Sequence, residues 1–587
     1  MEKKAIIAII LTFLIIFLWG IIQSKLFPPP PSKPPSETKK VEPALVEKQA
    51  EKEAGLREAK PLREEKQPLK KKFIPTKEIS VETQNYIAVF TSEGARLKHF
   101  RLKKYEDRVE ESPFVIKLTN LVKDVIGGKP VVPMTPKPLD LVNTSEEEGL
   151  PLKLTLSPFP SEGNWEVDKD QLHLPNKDEK GEIVFAKVLE NGLRVSKKFG
   201  FTSDKNALDL EVEVENTSSK EISTQLGLEW VGRIELEKLA DDGNKDYGLK
   251  YAYLKNQKVE KKDLAGTGAS GCTPGCTSSK RKIDAFEFSD KGAIEWYSLE
   301  GEYFAALLVP PPSERNLALT VIGNEKNILK ADEVLPPVSI PPGQAVKMPY
   351  RIYMGPKDID RLKELGVGAE KLVDFGFFAV VAKPLLWFLK FTNKVTNNYG
   401  IDIIILSILI KIVFLPLTQI SFKSMKEMQK VQPEMARLKE TYKNDKAKLQ
   451  QEIMLLYKRR KINPMSGCLP MLIQIPVFIA LYNALQNAIE MRHAPFFWWV
   501  KDLSAKDPIY ITPLIMGATM VIQQKMTPTS ADPAQAKMFM LMPIMFTFLF
   551  LNFPSGLVIY WLINNVLSIA HQYYLNKGVS FDFWKKR

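Results

Sequence analysis

IDIIILSILIKIVFLPLTQI, residues 401–420, decides what kind of protein this is. At a 1.5 Å rise per residue the run is long enough to cross a hydrocarbon core about 30 Å thick. It also carries a lysine, Lys411, near its middle. A cation at mid-bilayer costs about 2.5–3.5 kcal/mol on insertion scales, so Lys411 needs a partner or water. Ser407 and Thr418 fall within about 40° of Lys411 around a 3.6-residue helix, which gives the segment one polar stripe.

Four further apolar runs follow: Cys468–Ile489, Ile509–Gln524, Met538–Phe553 and Leu557–Tyr574. They contain no acid; Glu490 stands just past the end of the first. Two readings of Lys411 stand. It pairs with a carboxylate across the bundle, or it faces a hydrated cavity. The shortage of acids favours the cavity. Gln474, Asn483, Gln486, Gln523, Asn564 and Asn565 line such a cavity or tie helix to helix. Met516, Met520, Met538, Met540, Met542 and Met545 fill a core or offer an adaptable apolar surface.

The chain has 587 residues, with Lys+Arg 82 against Asp+Glu 69 for a formal +13. Hydrophobic content is 44%, but the long apolar runs lie at the two ends and the middle is polar. A single soluble globule and wholesale disorder are both excluded. Three cysteines are too few for a disulfide-framed or Cys-rich metal module. In a chain with apolar spans, excess positive charge points first to membrane topology rather than nucleic acid.

Lys3 and Lys4 precede the uncharged run Ala5–Ile22, and no small-residue cleavage site follows, so residues 1–26 are expected to be an uncleaved anchor with its N-terminus in the cytoplasm. Residues 27–76 are Pro-rich and then charged, a tether with no apolar face to bury. From 77 to 356 the period changes. Leu208–Glu215 alternates apolar and acidic residues, and Ile183–Glu190, Asn191-Gly192 and Leu193–Phe199 read as a hairpin. Ala95–Leu102, Thr224–Val231, Ala305–Val309 and Leu317–Ile322 add strands, which argues a large antiparallel β-sandwich. Within it, Cys272 and Cys276 flank a Pro-Gly turn and form either a disulfide or two thiols.

Residues 357–398 form a linker and an amphipathic helix. Lys383, Lys390 and Lys394 share one face of Phe375–Phe391, a helix expected to lie in the interface with its lysines reaching headgroups. Residues 399–577 hold the five spans. The segment 421–464 carries Lys423, Lys426, Lys430, Arg437, Lys439, Lys443, Lys446, Lys448, Lys458, Arg459, Arg460 and Lys461 against five acids. With the anchor N-in it falls in the cytoplasm, as do Lys525, Lys537 and the basic tail 578–587, while the charge-balanced loop Glu490–Pro508 falls outside. Two helices, Phe422–Lys443 and Ala447–Lys461, are predicted for this segment. It is either a topology-setting loop or a docking surface for an acidic partner or ribosomal RNA.

Catalysis has little to stand on. His99, His173, His493 and His571 are scattered, no nucleophile–base pair or metal spacing is visible, and no phosphate-binding glycine loop occurs. No enzymatic role, cofactor, metal or small-molecule substrate is expected. A transporter would show repeated halves with paired broken helices, and no such repeat is present.

Asn463-Pro464-Met465-Ser466-Gly467-Cys468-Leu469-Pro470 and Gln474-Ile475-Pro476-Val477-Phe478 resemble a signature of the YidC/Oxa/Alb membrane protein insertases. WVKDLSAKDP at 499–508, Gln524–Pro528 and Phe553–Leu557 match in the same order, and the resemblance covers about 375–577. The preceding anchor and β-domain are similar to the long Gram-negative form. The resemblance implies a multi-domain protein of the bacterial inner membrane: an α-helical bundle of an anchor plus five core spans, with a large periplasmic antiparallel β-supersandwich. It implies insertion and chaperoning of nascent membrane proteins, alone or with the Sec translocon, through a hydrated groove open to lipid. Lys411 takes the place of the family's usual arginine as the substrate-attracting cation, keeping the charge without the planar fork. Ser407 would line the groove, and Tyr560 and Trp561 would contact substrate, although a second tyrosine often stands where Trp561 does. Ribosome or signal-recognition components would meet the basic 421–464 segment and the tail.

Overall fold

The computed structural model describes residues 75–125, 130–235, 250–263, 285–460, 469–526 and 533–577, all within one compact unit, Ile74–Arg587. The expected anchor, nearly all of the tether, Cys272, Cys276, Lys461 and the basic tail lie outside the described residues.

The alternation at 208–215 forms the strand Ala207–Asn216, which buries Leu208, Leu210, Val212 and Val214. It pairs antiparallel with Leu193–Thr202 on one side and Ala345–Pro356 on the other. The expected hairpin joins Lys180–Val188 to Leu193–Thr202, and Gly192 takes the positive φ (86°) that its turn requires. On Leu193–Thr202 the inward row is Leu193, Val195, Lys197, Phe199 and Phe201. The period-two rule thus sends a lysine into the core. Lys197 Nζ donates to the carbonyls of Gly94 (3.1 Å), Ala95 (2.9 Å) and Leu152 (2.7 Å), and burial pushes its pKa down to about 7. Three backbone acceptors satisfy an amine that has no acid beside it among the described residues.

Five strands form one sheet, in the order Pro138–Asp140, Arg96–Glu106, Tyr86–Thr91, Glu78–Glu82, Gln171–His173. Its last pairing, Ser80 with Gln171 through Glu82 with His173, is parallel. The purely antiparallel expectation is corrected at that edge. The long excursion from 82 to 171 supplies the crossover that a parallel pair needs. Fourteen strands form the other sheet, which folds over on itself through the long strand Phe286–Glu300. Its first half pairs with Asn316–Gly323 and its second with Lys250–Lys255 and Phe304–Val309. The handover falls at Gly292, whose φ of 139° only glycine adopts without strain. The two sheets share one core, which includes Phe90, Phe100, Trp165, Phe185, Phe199 and Trp230.

Eleven helices are described: α1 Pro113–Val125, α2 Ile359–Lys363, α3 Ala379–Thr396, α4 Tyr399–Val413, α5 Leu415–Lys430, α6 Gln432–Thr441, α7 Lys446–Arg459, α8 Leu469–Asn487, α9 Ile511–Met526, α10 Pro533–Phe550 and α11 Ser555–Asn576. A second core runs from Leu254, Trp296, Leu307 and Tyr353 of the sheet through Leu362, Leu372 and Phe375 to Leu386, Leu406, Leu481 and Tyr560 of the helices.

Two helical expectations are corrected. Residues 401–420 are not one helix, because α4 ends at Val413 and α5 leaves at 59°. Pro416 has no N–H to donate, and its ring would strike the Ile412 carbonyl one turn back. Phe422–Lys443 likewise divides at Val431, with Pro433 in the first turn of α6. The resulting hairpin closes on Val431, Met435 and Leu456, and Tyr457 Oη donates to Met435 Sδ at 3.1 Å. Among the described residues no single helix is both long and apolar enough to cross a membrane, but α4 and α5 together meet the test. Lys390 of α3 pairs with Glu490 (2.8 Å) and Asp360 (3.3 Å).

Candidate functional site

The site is built where α4 crosses α11. Asn398 caps α4 by accepting from Gly400 N (2.9 Å) and Ile401 N (3.1 Å), and buried Asp402 accepts from Asn393 (2.8 Å) and Thr396 (2.7 Å). A carboxylate at a helix N-terminus is favoured by the dipole, so this turn fixes the direction of α4. Ser555 N and Gly556 N, at the start of α11, donate to the Ala505 (2.7 Å) and Leu503 (2.9 Å) carbonyls. Gly556 leaves room for Ile403, which a Cβ would approach to 3.2 Å.

Twelve residues into α4, about 18 Å from its start, Lys411 reaches α11. Its Nζ donates to Ser568 Oγ at 2.6 Å, and Ser568 donates to the Asn564 carbonyl at 2.6 Å. Among the described residues no carboxylate pairs with Lys411. The polar face of α11 continues through Asn565, whose amide meets Thr519 Oγ1 of α9 at 3.3 Å, and Gln572, which donates to the Met526 carbonyl at 2.6 Å. His571 sets its ring edge-on to Phe422 of α5, 5.5 Å away, and faces the charge of Lys411. Asn564, Asn565, Ser568, His571 and Gln572 are all buried, while Lys411 is half-buried.

The residues read from the sequence therefore divide. Ser407 is fully buried and returns its hydroxyl to the Ile403 carbonyl (2.7 Å); Thr418 does the same to Phe414 (2.8 Å). Tyr560 is buried about 12 Å nearer the start of α11 than Ser568, with half-buried Gln474 beside its hydroxyl. Trp561 sits in an aromatic cluster with Phe478 (5.1 Å), Phe550 (5.3 Å) and Phe546 (6.1 Å). Neither aromatic is brought onto Lys411. Ser568, His571 and Gln572 were missed. The signal was present, because Asn564, Ser568 and Gln572 recur every four residues along one face of a helix.

The outer surfaces of these helices invert the pattern of a water-soluble protein. Ile412, Val413 and Ile420 beside α4 and α5, Leu514 and Ile522 on α9, and Met540, Leu541, Met545 and Phe548 on α10 are all exposed. Large apolar side chains face outward, while the polar row of α11 is turned inward.

Of the residues expected at the docking surface, Lys426, Arg437, Lys458 and Arg459 are exposed. Lys430 pairs with Glu427 (2.7 Å) and Arg460 with Glu434. Lys423 lies on α5.

The family model for the YidC periplasmic domain matches residues 134–388, and that for the 60Kd inner membrane protein matches 391–582. The membrane protein insertase YidC of Syntrophus aciditrophicus (strain SB) is 40% identical over 98% of this chain and 100% of its own length. The chain belongs to the YidC membrane protein insertase family. YidC of Geobacter metallireducens (strain ATCC 53774 / DSM 7210 / GS-15) is 38% identical over 99% of both chains. Among solved structures, an active YidC insertase with its first transmembrane domain resolved is 19% identical, covering 85% of this chain and 92% of the other with a TM-score of 0.35. A galactose mutarotase-like protein from Lactobacillus casei ATCC 334 is 11% identical over 47% of this chain and 99% of its own, at a TM-score of 0.29. These relatives are named as membrane protein insertases.

Proposed function

We propose that this YidC-family chain inserts membrane proteins by drawing acidic polar segments to Lys411 while their apolar segments enter lipid. In this reading five core spans (α4 with α5, α8, α9, α10 and α11) cross the inner membrane, and the hairpin of α6 and α7 lies in the cytoplasm. The β-domain is periplasmic, and both termini are cytoplasmic. The inverted surface of α4, α9 and α10 supports the spanning bundle. By length alone α11, about 33 Å at 1.5 Å per residue, reaches across a hydrocarbon core of about 30 Å.

The observation that carries the mechanism is the half-buried Lys411 ammonium, held by a serine hydroxyl and by no acid among the described residues. A hydroxyl orients the amine but leaves its charge uncompensated. That charge is then available to a carboxylate arriving from the substrate. Water reaching it from the cytoplasm shortens the dry path a polar segment must cross. Apolar substrate surface entering lipid supplies the driving force, at about 0.8 kcal/mol per buried CH2. No nucleotide or cofactor is needed for either step.

In this topology Tyr560 and Trp561, nearer the start of α11 than Ser568 and with Gln474 beside Tyr560, would sit in the outer half, where the apolar part of a substrate would pass. Exposed Lys426, Arg437, Lys458 and Arg459 give the cytoplasmic side a basic surface suited to ribosome or signal-recognition components, and the Sec translocon is a further partner. Reconstitution of the purified chain alone in liposomes, with a small single-span substrate, tests the function directly. Protease protection of the substrate's far tail is the expected result, and no protection above empty liposomes would overturn the proposal.

A further inference from the structure

We propose that α1, together with the segment folded back on it, is an interfacial foot by which the β-domain rests on the outer leaflet beside the bundle. The inference depends on the bundle spanning the membrane, as proposed above. Val115 and Thr119 face inward from α1 and are buried. About 120° around the helix from them, Phe114, Leu121 and Val125 are 62%, 61% and 81% exposed, at positions i, i+7 and i+11. Asn120 clamps the returning chain, donating to the Val131 carbonyl at 3.0 Å and accepting from Val131 N at 2.6 Å. That clamp brings exposed Val132 beside the same helix, and exposed Met134 follows it, its sulfur accepting from Arg108 at 2.8 Å. Five large apolar side chains on one short element exceed the scatter of a soluble surface.

What covers them is indicated by their neighbours. Phe114 stacks on Trp498 with ring centres 6.5 Å apart and planes 7° from parallel. Trp498 and Phe497 are themselves exposed, in the loop that the proposed topology puts at the outer membrane surface. Arg492 of that loop donates to the Glu106 carbonyl at 2.5 Å and lies 5.1 Å over the Phe304 ring, fixing the chain that leads into α1 against the outer end of the bundle. Aromatic side chains at that level mark the lipid–water boundary. The apolar face of α1 therefore continues an aromatic edge already at the lipid surface. Lys117 and Asp124 border that face and cancel in charge, and Lys123 lies on the far side of the helix, so the face itself is apolar. The occupant is the bilayer itself.

The test places nitroxide labels through Leu121→Cys and Val125→Cys in the full-length chain after Cys272→Ser, Cys276→Ser and Cys468→Ser. The protein is reconstituted in vesicles of mixed zwitterionic and anionic phospholipid. Met540→Cys reports the outer surface of the bundle and Lys258→Cys the exposed β-domain. Collision rates with oxygen and with a neutral nickel chelate are then compared. Labels at Leu121 and Val125 are expected to shift toward oxygen, between the Met540 and Lys258 values. Values equal to Lys258 while Met540 remains lipid-like would overturn the foot and leave the bundle intact. Water-like values at Met540 would instead overturn the spanning reading. Spin–spin broadening at Leu121 would assign the face to a second copy and also refute the foot.

Discussion

Lys411→Met removes the charge of Lys411 while keeping an unbranched side chain of similar reach. The packing consequence is small. Ser568 still donates to the Asn564 carbonyl, so the change strands no buried donor. The electrostatic consequence is specific to substrate. At an effective dielectric of about 20, a carboxylate roughly 5 Å from the ammonium gains about 3 kcal/mol. Water in the groove reduces this to roughly half, about 1.4 kcal/mol, or tenfold in rate. The assay uses the reconstituted protein with two single-span substrates that differ only in whether the translocated tail carries acids. Insertion of the acidic one is expected to slow about tenfold in Lys411→Met, that of the neutral one about twofold or less, and Lys411→Arg is expected to restore both. Equal slowing of both substrates, or a Lys411→Arg variant as slow as Lys411→Met, would refute charge attraction at this residue.

Other perturbations test the β-domain and its junction with the helices. Burial raises the Glu333 carboxyl to about 7 and Asp332 to about 6, so the folded state holds protons that the unfolded chain has already released. Stability contributed by these groups therefore falls as pH rises from about 4.5 to about 7, and Glu333→Gln is expected to remove on the order of 3 kcal/mol of that fall. Denaturant unfolding of the full-length protein across that window checks it, and an unchanged slope would show that Glu333 is already ionised. Gly227→Ala would set a Cβ 1.9 Å from the Glu333 carbonyl oxygen and 2.8 Å from Thr155 Oγ1. The neighbour is backbone, so a loss of about 1–3 kcal/mol in the same unfolding measurement is expected. Glu300→Ala leaves the buried Lys357 without the carboxylate 3.1 Å away, at a cost of about 3–5 kcal/mol, and adding Lys357→Met should recover much of it. Proteolysis of the 357–378 linker reads the loosening, and equal cleavage in all variants would contradict it.

How far the sequence carries the fold depends on what each signal measures. Period-two alternation reports directly which side chains face a core, so it gave Ala207–Asn216 and the turn at Asn191-Gly192. The same alternation put Lys197 inside, but no local rule could say that three carbonyls from Gly94, Ala95 and Leu152 would meet it. The parallel edge between Glu78–Glu82 and Gln171–His173 was hidden for a related reason, because pairing across such a separation leaves no local trace. Hydropathy averages over a window and reads straight through proline, which hid the breaks before Pro416 and Pro433 although both residues were visible.

The candidate site was legible by half. Lys411 stands out because a charge in an apolar run is costly wherever it sits. Its partner does not stand out, because Ser568 has no such cost: a serine inside a helix satisfies itself on the carbonyl four residues back, as Ser407 and Thr418 also do. Ser568 differs from those two in one respect. Its oxygen also accepts the lysine, and that requires α11 to lie against α4 at one register. That register is set near the start of both helices, by Gly556 against Ile403 and by the Leu503 and Ala505 carbonyls that receive the first amides of α11. The position of the cation is thus fixed about 18 Å away from it, by contacts whose residues carry no charge and follow no motif that chemistry alone would single out.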